Sequence, residues 1–148
     1  MQQPTVVIDT QIILRATLNE RSLPGKLLFD LGYLYTLAIS PAVRAEIADV
    51  LSRPKLRQKF PGLTDESTAR VLAVLDAGLQ ITPEITPEIT PAVSRDPKDD
   101  MFLALAVESK ATYLVSEDND LLVLDPYRGI RILTVVEFLQ ALNDKMKG

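Results

Sequence analysis

Short apolar runs recur along this chain, and each is followed by a helix signal rather than a hairpin turn. Thr5 to Ile8 (TVVI), Tyr35 to Ile39 (YTLAI), Tyr113 to Val115 (YLV) and Ile130 to Leu133 (IRIL) read as strands, with a further short one offered by Gln80 to Thr82. Helical stretches fall between them. Gln11 to Leu18 and Pro24 to Leu31 follow the first strand. Ser40-Pro41 supplies an N-cap and a proline at the first helical position for a helix to Leu51, which Pro54 ends. Thr64-Asp65-Glu66 opens a helix to about Ala77, stopped by Gly78. Asp99 to Ser109 is apolar nearly all round and predicts a buried helix, and Thr134-Val135-Val136-Glu137 is a capping box for a last helix to about Leu142. Strands this short and this apolar, separated by helices, are buried on both faces of a parallel sheet. The expected class is therefore α/β, a three-layer α/β/α arrangement around a mainly parallel sheet of about five short strands. Nothing resembling a linker interrupts residues 1–148, so one domain is expected over the whole length.

One segment departs from this rhythm. Ile81-Thr82-Pro83-Glu84 is followed by Ile85-Thr86-Pro87-Glu88 and Ile89-Thr90-Pro91, a four-residue repeat. A proline at every fourth position excludes a continuous helix and a central strand alike, so an extended loop is expected.

Composition narrows the chemistry. The chain has no cysteine, which excludes disulfides, thiolate nucleophiles and cysteine-bound zinc. It has no histidine either, which removes the Ser-His-Asp and Cys-His arrangements and the commonest general base. A catalytic role must therefore fall to carboxylates, hydroxyls, lysines or a hard metal ion. The formal net charge of −4 argues against a dedicated nucleic-acid scaffold, although a site that holds a divalent cation needs local negative charge. Tryptophan is absent and aromatics make up only 5% of residues, which disfavours base-stacking platforms. No apolar stretch approaches the roughly 18 residues of a membrane span, and the opening Met1-Gln2-Gln3-Pro4 lacks the basic region of a signal peptide, so a cytoplasmic protein without membrane association is expected.

In an open parallel sheet, ligands sit beyond the carboxyl ends of the strands. Asp9 ends the first strand, Glu46 lies in the helix after the second, Asp100 starts the buried helix, and Asp118 follows the strand ending at Val115 with Asp120 two residues on. Gathered at one edge, these groups would repel one another unless a cation stood among them. Oxygen-only ligands favour Mg²⁺ or Mn²⁺, and two such ions about 4 Å apart serve phosphodiester hydrolysis without any histidine. Each residue also has an ordinary explanation. Alone, Asp9 is better read as a turn residue at a strand end and Glu46 as a solvated helix position. Asp96, Asp99 and Asp100 suit a helix start, where carboxylates gain about 0.3–1 kcal/mol from the dipole. Asp118 and Asp120 suit a polar turn, and Glu117 reads as solvated. The functional reading rests on the set, in this order, at strand ends.

At these residues the sequence resembles the PIN-domain family, the fold of many toxin ribonucleases from bacterial toxin–antitoxin modules. Val6-Val7-Ile8-Asp9-Thr10 looks like the family's first strand with its metal-binding aspartate and following hydroxyl residue. Ser40-Pro41 to Glu46 resembles its second strand end, cap and helical glutamate. Arg95-Asp96-Pro97-Lys98-Asp99-Asp100-Met101-Phe102-Leu103-Ala104-Leu105-Ala106 resembles the segment with its third acidic residue, which falls on Asp100. Tyr113-Leu114-Val115-Ser116-Glu117-Asp118-Asn119-Asp120-Leu121-Leu122 resembles its last strand and acidic turn, with the fourth carboxylate at Asp118 and Asp120 in support. The likeness spans nearly the whole chain, and the last two motifs are its most specific part. It implies a PIN-like fold and a Mg²⁺- or Mn²⁺-dependent endoribonuclease acting on RNA. It also implies a cognate antitoxin and a homodimer. The ITPE repeat departs from the family pattern, but away from the acidic positions.

Supporting features carry two readings each. Arg53, Lys55, Arg57 and Lys59 are candidate contacts for RNA phosphates and equally a solvated charge run. Thr10 or Ser116 suits the orientation of water at a metal, yet both suit capping. Ile12, Ile13, Leu14, Leu27, Leu28 and Leu31 would make an antitoxin groove or, more often, plain core. Two other classes compete with the nuclease. One is a catalytically inactive interaction module of the same fold. The other is a phosphotransferase or phosphatase with Asp9 as nucleophile, which wants an aspartate where Gln11 stands and a supporting lysine after a later strand.

Overall fold

The computed structural model describes residues 3–82 and 97–147, with backbone only at 97–99 and 146–147. The chain runs β1 (Thr5–Ile8), α1 (Thr10–Leu18), α2 (Leu23–Gly25), β2 (Thr36–Ile39), α3 (Pro41–Leu51), α4 (Pro54–Lys59), α5 (Asp65–Asp76), β3 (Leu79–Gln80), α6 (Pro97–Glu108), β4 (Tyr113–Val115), α7 (Asn119–Leu122), β5 (Arg131–Leu133) and α8 (Val135–Lys147). All neighbouring strands are parallel, in the order β3-β2-β1-β4-β5. The expected parallel α/β/α arrangement is present, and its sheet is parallel throughout.

The strand order has a functional consequence. From β1 the chain steps outward through β2 to β3, then returns to place β4 on the other side of β1. The direction of winding reverses between β1 and β4. In open parallel sheets the crevice beyond the carboxyl ends of such a strand pair is where ligands bind. The core explains why the strands read as continuous apolar runs. Val6, Val7, Leu114 and Val115 are fully buried, as are Leu105 of α6 and Phe138 of α8. Phe138 packs edge-on against Tyr35 and Tyr113, with centroids 5.5 Å away in both cases, and so anchors α8 to the sheet.

Several local expectations need correction. The helix expected over Pro24 to Leu31 is α-helical only to Gly25 and then widens into a π-turn over Lys26–Asp30, closed by the Leu31 amide on the Lys26 carbonyl at 3.0 Å. The Leu27 carbonyl inside it accepts the Tyr35 hydroxyl at 2.9 Å. Gly25 is required because a Cβ there would stand 2.3 Å from the Glu20 carbonyl oxygen. Leu27 and Leu28 are buried core and Leu31 is half-buried.

Pro54 does not merely end α3. It opens α4, and the RPKLRQK run is helical, because proline suits a first helical position and Leu56 packs on the core. The polar turn at Asp118–Asp120 is instead the capped start of α7, whose Leu121 is fully buried. The last helix continues past Leu142 to Lys147, and Lys145 lies over the Tyr113 ring. Of the ITPE repeat only Ile81 and Thr82 lie within the described residues, and Asp96 lies outside them.

Both sheet edges are short. β3 has two residues. On β5 the Arg131 amide pairs with the Thr112 carbonyl, whereas the Ile132 amide, turned away from β4, donates to Asp125 Oδ1 at 2.7 Å. Asp125 also accepts from Arg131 (Nε at 2.9 Å), which holds its carboxyl below the usual carboxylate range.

Candidate metal and catalytic site

Asp9 is the first residue beyond β1, and its backbone amide continues the β1–β4 pairing by donating to the Val115 carbonyl at 3.1 Å. That bond sets Asp9 beside Ser116, the first residue beyond β4. Asp9 is also the N-cap of α1: its Oδ1 accepts the Ile12 amide at 3.2 Å, and its Oδ2 accepts the Ser116 hydroxyl. The same Ser116 oxygen accepts the Asp118 amide at 2.9 Å, and Asp118 Oδ1 accepts the Asp120 amide at 2.9 Å. A continuous chain of hydrogen bonds therefore joins Asp9, Ser116, Asp118 and Asp120 across the reversal of strand order. Ser116, weighed in the sequence only as a capping or water-orienting group, is its centre. It is fully buried.

Among the described residues, Asp9 (5% exposed) and Asp100 (7%) are the only buried carboxylates. Asp100 belongs to α6, which runs back along the sheet toward the start of β4, so its first turn lies at the carboxyl edge. α6 packs on β1, β2 and β4 and touches α3, the helix that carries half-buried Glu46. Burial pushes the Asp9 carboxyl above its ordinary range. The hydrogen bonds from Ser116 and Ile12 oppose that shift, and the negative charge of Asp118 adds to it. An anion held out of water beside another anion is a costly arrangement that a cation would relieve.

A neighbouring observation points the same way. The buried Thr10 Oγ1 has no hydrogen-bond partner among the described groups, although buried hydroxyls are rarely left unpaired. Oxygen donors of this kind fit a hard divalent ion. Even so, among the described residues no three acidic side chains stand close enough together to enclose an ion. Asp9 and Asp118 are in electrostatic contact.

The basic run divides. Arg57 is half-buried and engaged within the chain: Nε donates to the Leu51 carbonyl at 3.1 Å, Nη1 to the exposed Asp65, and Nη2 to Thr68 Oγ1 at 3.2 Å. It clamps α4 to the end of α3 and the start of α5. Arg53 pairs with Asp49 at 3.0 Å, and Lys59 lies over the Phe60 ring. Exposed Lys55 completes the set. α4 follows the eleven residues of α3, so it lies about 16 Å along that helix from the site edge. Glu117, expected to be solvated, is half-buried and accepts the Val135 amide at the start of α8 at 3.0 Å. No local sequence signal links residues 18 positions apart in this way.

Known proteins agree with the architecture. The model of the PIN domain family matches residues 5–120. The uncharacterized protein MJ1680 of Methanocaldococcus jannaschii is 36% identical over 121 residues, spanning 80% of this chain and 74% of its own. A chain of the crystal structure of VapBC2 from Rickettsia felis, bound to a DNA fragment from their promoter, superposes with a TM-score of 0.56 at 17% identity, covering 88% of this chain and 98% of that one. PAE2754 from Pyrobaculum aerophilum superposes with a TM-score of 0.58 at 16% identity, covering 95% and 90%. At such identities the two structures share the fold.

Proposed function

The chain belongs to the PIN-domain family, and on that premise we propose that it is a Mg²⁺- or Mn²⁺-dependent endoribonuclease that hydrolyses RNA phosphodiester bonds, acting as the toxin of a toxin–antitoxin pair. One observation carries this reading: of the two buried carboxylates among the described residues, Asp9 follows β1 at the reversal of strand order and Asp100 lies in the first turn of α6, and Asp9 is hydrogen-bonded through Ser116 to the loop of a third. Asp9, Glu46, Asp100 and Asp118, supported by Asp120, are the residues to hold the ion. An ion held by these residues would supply Lewis-acid polarisation of the phosphate and activation of water at neutral pH.

The chain's own groups prepare the site. The α1 amide of Ile12 and the Ser116 hydroxyl fix both oxygens of Asp9, so its carboxylate needs little reorientation. Ser116 also fixes the backbone from which Asp118 projects. With no histidine in the sequence, proton transfer falls to carboxylates or solvent. A cognate antitoxin, a homodimer and a cytoplasmic location complete the proposal. Support for the antitoxin is the fold shared with VapBC2, and no helix among the described residues is long and apolar enough to cross a membrane. A second reading, an inactive interaction module, draws on the lack of three converging acidic groups among the described residues.

A panel of structured and single-stranded RNA decides between them, with Mn²⁺, with Mg²⁺ and with EDTA, beside an Asp9→Asn/Asp100→Asn double variant. Metal-dependent cleavage lost in the variant is the expected result. Cleavage unchanged in the variant would overturn the site. No cleavage and no Mn²⁺ binding by calorimetry would favour the interaction module.

A further inference from the structure

Glu117 is an acid inside an acidic loop, yet its carboxylate is turned to the N-terminus of α8. Thr134 and Glu137 form a reciprocal capping box there. Glu137 accepts the Thr134 amide at 2.9 Å and Thr134 accepts the Glu137 amide at 3.2 Å. The Val135 amide, the first of the helix, is left over, and Glu117 Oε1 takes it at 3.0 Å. One residue earlier, the Ser116 amide donates to the Leu133 carbonyl at 2.9 Å. Residues 116 and 117 thus straddle the junction of β5 and α8 with two hydrogen bonds. On its other side the same short loop holds Asp9 through the Ser116 hydroxyl and Asp118 through its amide. The post to which it is tied is firm, because Phe138, one turn into α8, is fully buried between Tyr35 and Tyr113.

We propose that Glu117 is a positioning residue that latches the Asp9–Ser116–Asp118 loop to the N-terminus of α8, so that the seating of this helix sets the geometry of the carboxylates. The hydrogen bond is the contact that latches the loop, and the helix N-terminus adds a smaller preference for a negatively charged acceptor. The part of this proposal that concerns metal affinity rests on the nuclease reading above; the mechanical part does not. Partners that orient metal-binding groups from behind typically change metal affinity by about 10–100-fold when removed. The lower end of that span, about tenfold, suits a bond from one side of the loop.

The test uses the full chain in three variants, Glu117→Ala, Glu117→Gln and Val135→Pro. Proline suits the first position of a helix and removes the amide donor without touching Glu117. Amide hydrogen exchange in EDTA is read at Asp118 and Asp120 in all three variants and at Val135 in the two Glu117 variants, and Mn²⁺ affinity by calorimetry. Faster exchange at Asp118 and Asp120 in Glu117→Ala and in Val135→Pro is expected, with wild-type behaviour restored in Glu117→Gln, whose amide oxygen still accepts. Mn²⁺ binding should weaken about tenfold in the first two and by no more than about twofold in the third. Exchange that quickens at Val135 alone would reduce Glu117 to a local helix cap and overturn the proposal. So would loss in Glu117→Gln equal to that in Glu117→Ala. If the wild-type protein binds no Mn²⁺, the nuclease reading fails, and the exchange data alone decide the latch.

Discussion

Replacing Ser116 by alanine isolates the joint on which the site turns. The hydroxyl is fully buried and makes two bonds, donating to Asp9 and accepting the Asp118 amide. A hydrogen bond to a charged group contributes about 1.5–3 kcal/mol, and an amide left unpaired costs about 1–3 kcal/mol when buried. Asp118 is only half-buried, so solvent reaches part of that loss and the lower figure applies. Relief comes from Asp9 as well: its carboxyl already sits above the ordinary range through burial, and without the hydroxyl it takes up a proton more readily. The expected net loss is about 2–3 kcal/mol, which for a chain of this length lowers Tm by roughly 4–12 °C. Urea unfolding followed by circular dichroism, in EDTA, reads it directly. A double-mutant cycle with Asp9→Ala, which removes the acceptor, separates the bond from the lost volume, with a coupling of about 0.5–3 kcal/mol expected for residues in contact. Strict additivity of the two changes would refute the argument, since it would mean that Ser116 and Asp9 act independently.

Two further outcomes follow from groups remote from the site. Asp125 has a folded pKa below its unfolded value near 3.8, so its contribution is present above that pH and is lost as pH falls through the lowered value; acid unfolding of Asp125→Asn should lack this part of the slope, and an unchanged slope would contradict the Arg131 pairing. Arg57→Ala removes three internal bonds and should cost about 1–3 kcal/mol in urea unfolding, whereas Lys55→Ala should stay within about 0.5 kcal/mol. Equal effects would restore the view of the basic run as an undifferentiated charged face.

The elements legible in the sequence are those whose signals are local. Strands buried on both faces carry apolar runs, and Ser40-Pro41 and Thr64 carry their caps in the residues themselves. The placing of Asp9 at a strand end was equally legible, because β1 is a four-residue run that stops there. What escaped depends on partners far along the chain. The role of Ser116 requires a contact across 107 positions, and that of Glu117 one across 18. α4 hid behind its charges, since four cations in seven residues obscure a helix held by one apolar residue and the internal bonds of Arg57. The widening over Lys26–Asp30 has no periodic signature at all. It accompanies the Tyr35 hydroxyl on the Leu27 carbonyl, a bond that exists only once β2 is in place.

The bond from the Ile132 amide to Asp125 has a bearing on how this protein meets others. An unpaired amide on an outer strand is a template for another chain's backbone, and sheets open on both sides are prone to growth by that route. Here the outward amide of β5 is already occupied by a carboxylate that Arg131 holds in place, and at the opposite side β3 offers only two residues to pair with. A peptide seeking to lengthen the sheet at β5 would have to displace Asp125 before its first hydrogen bond formed. Recognition of this protein is thereby steered toward side-chain and helix-face contacts, and a mutation of Asp125 that frees the Ile132 amide would open a route to strand exchange between copies.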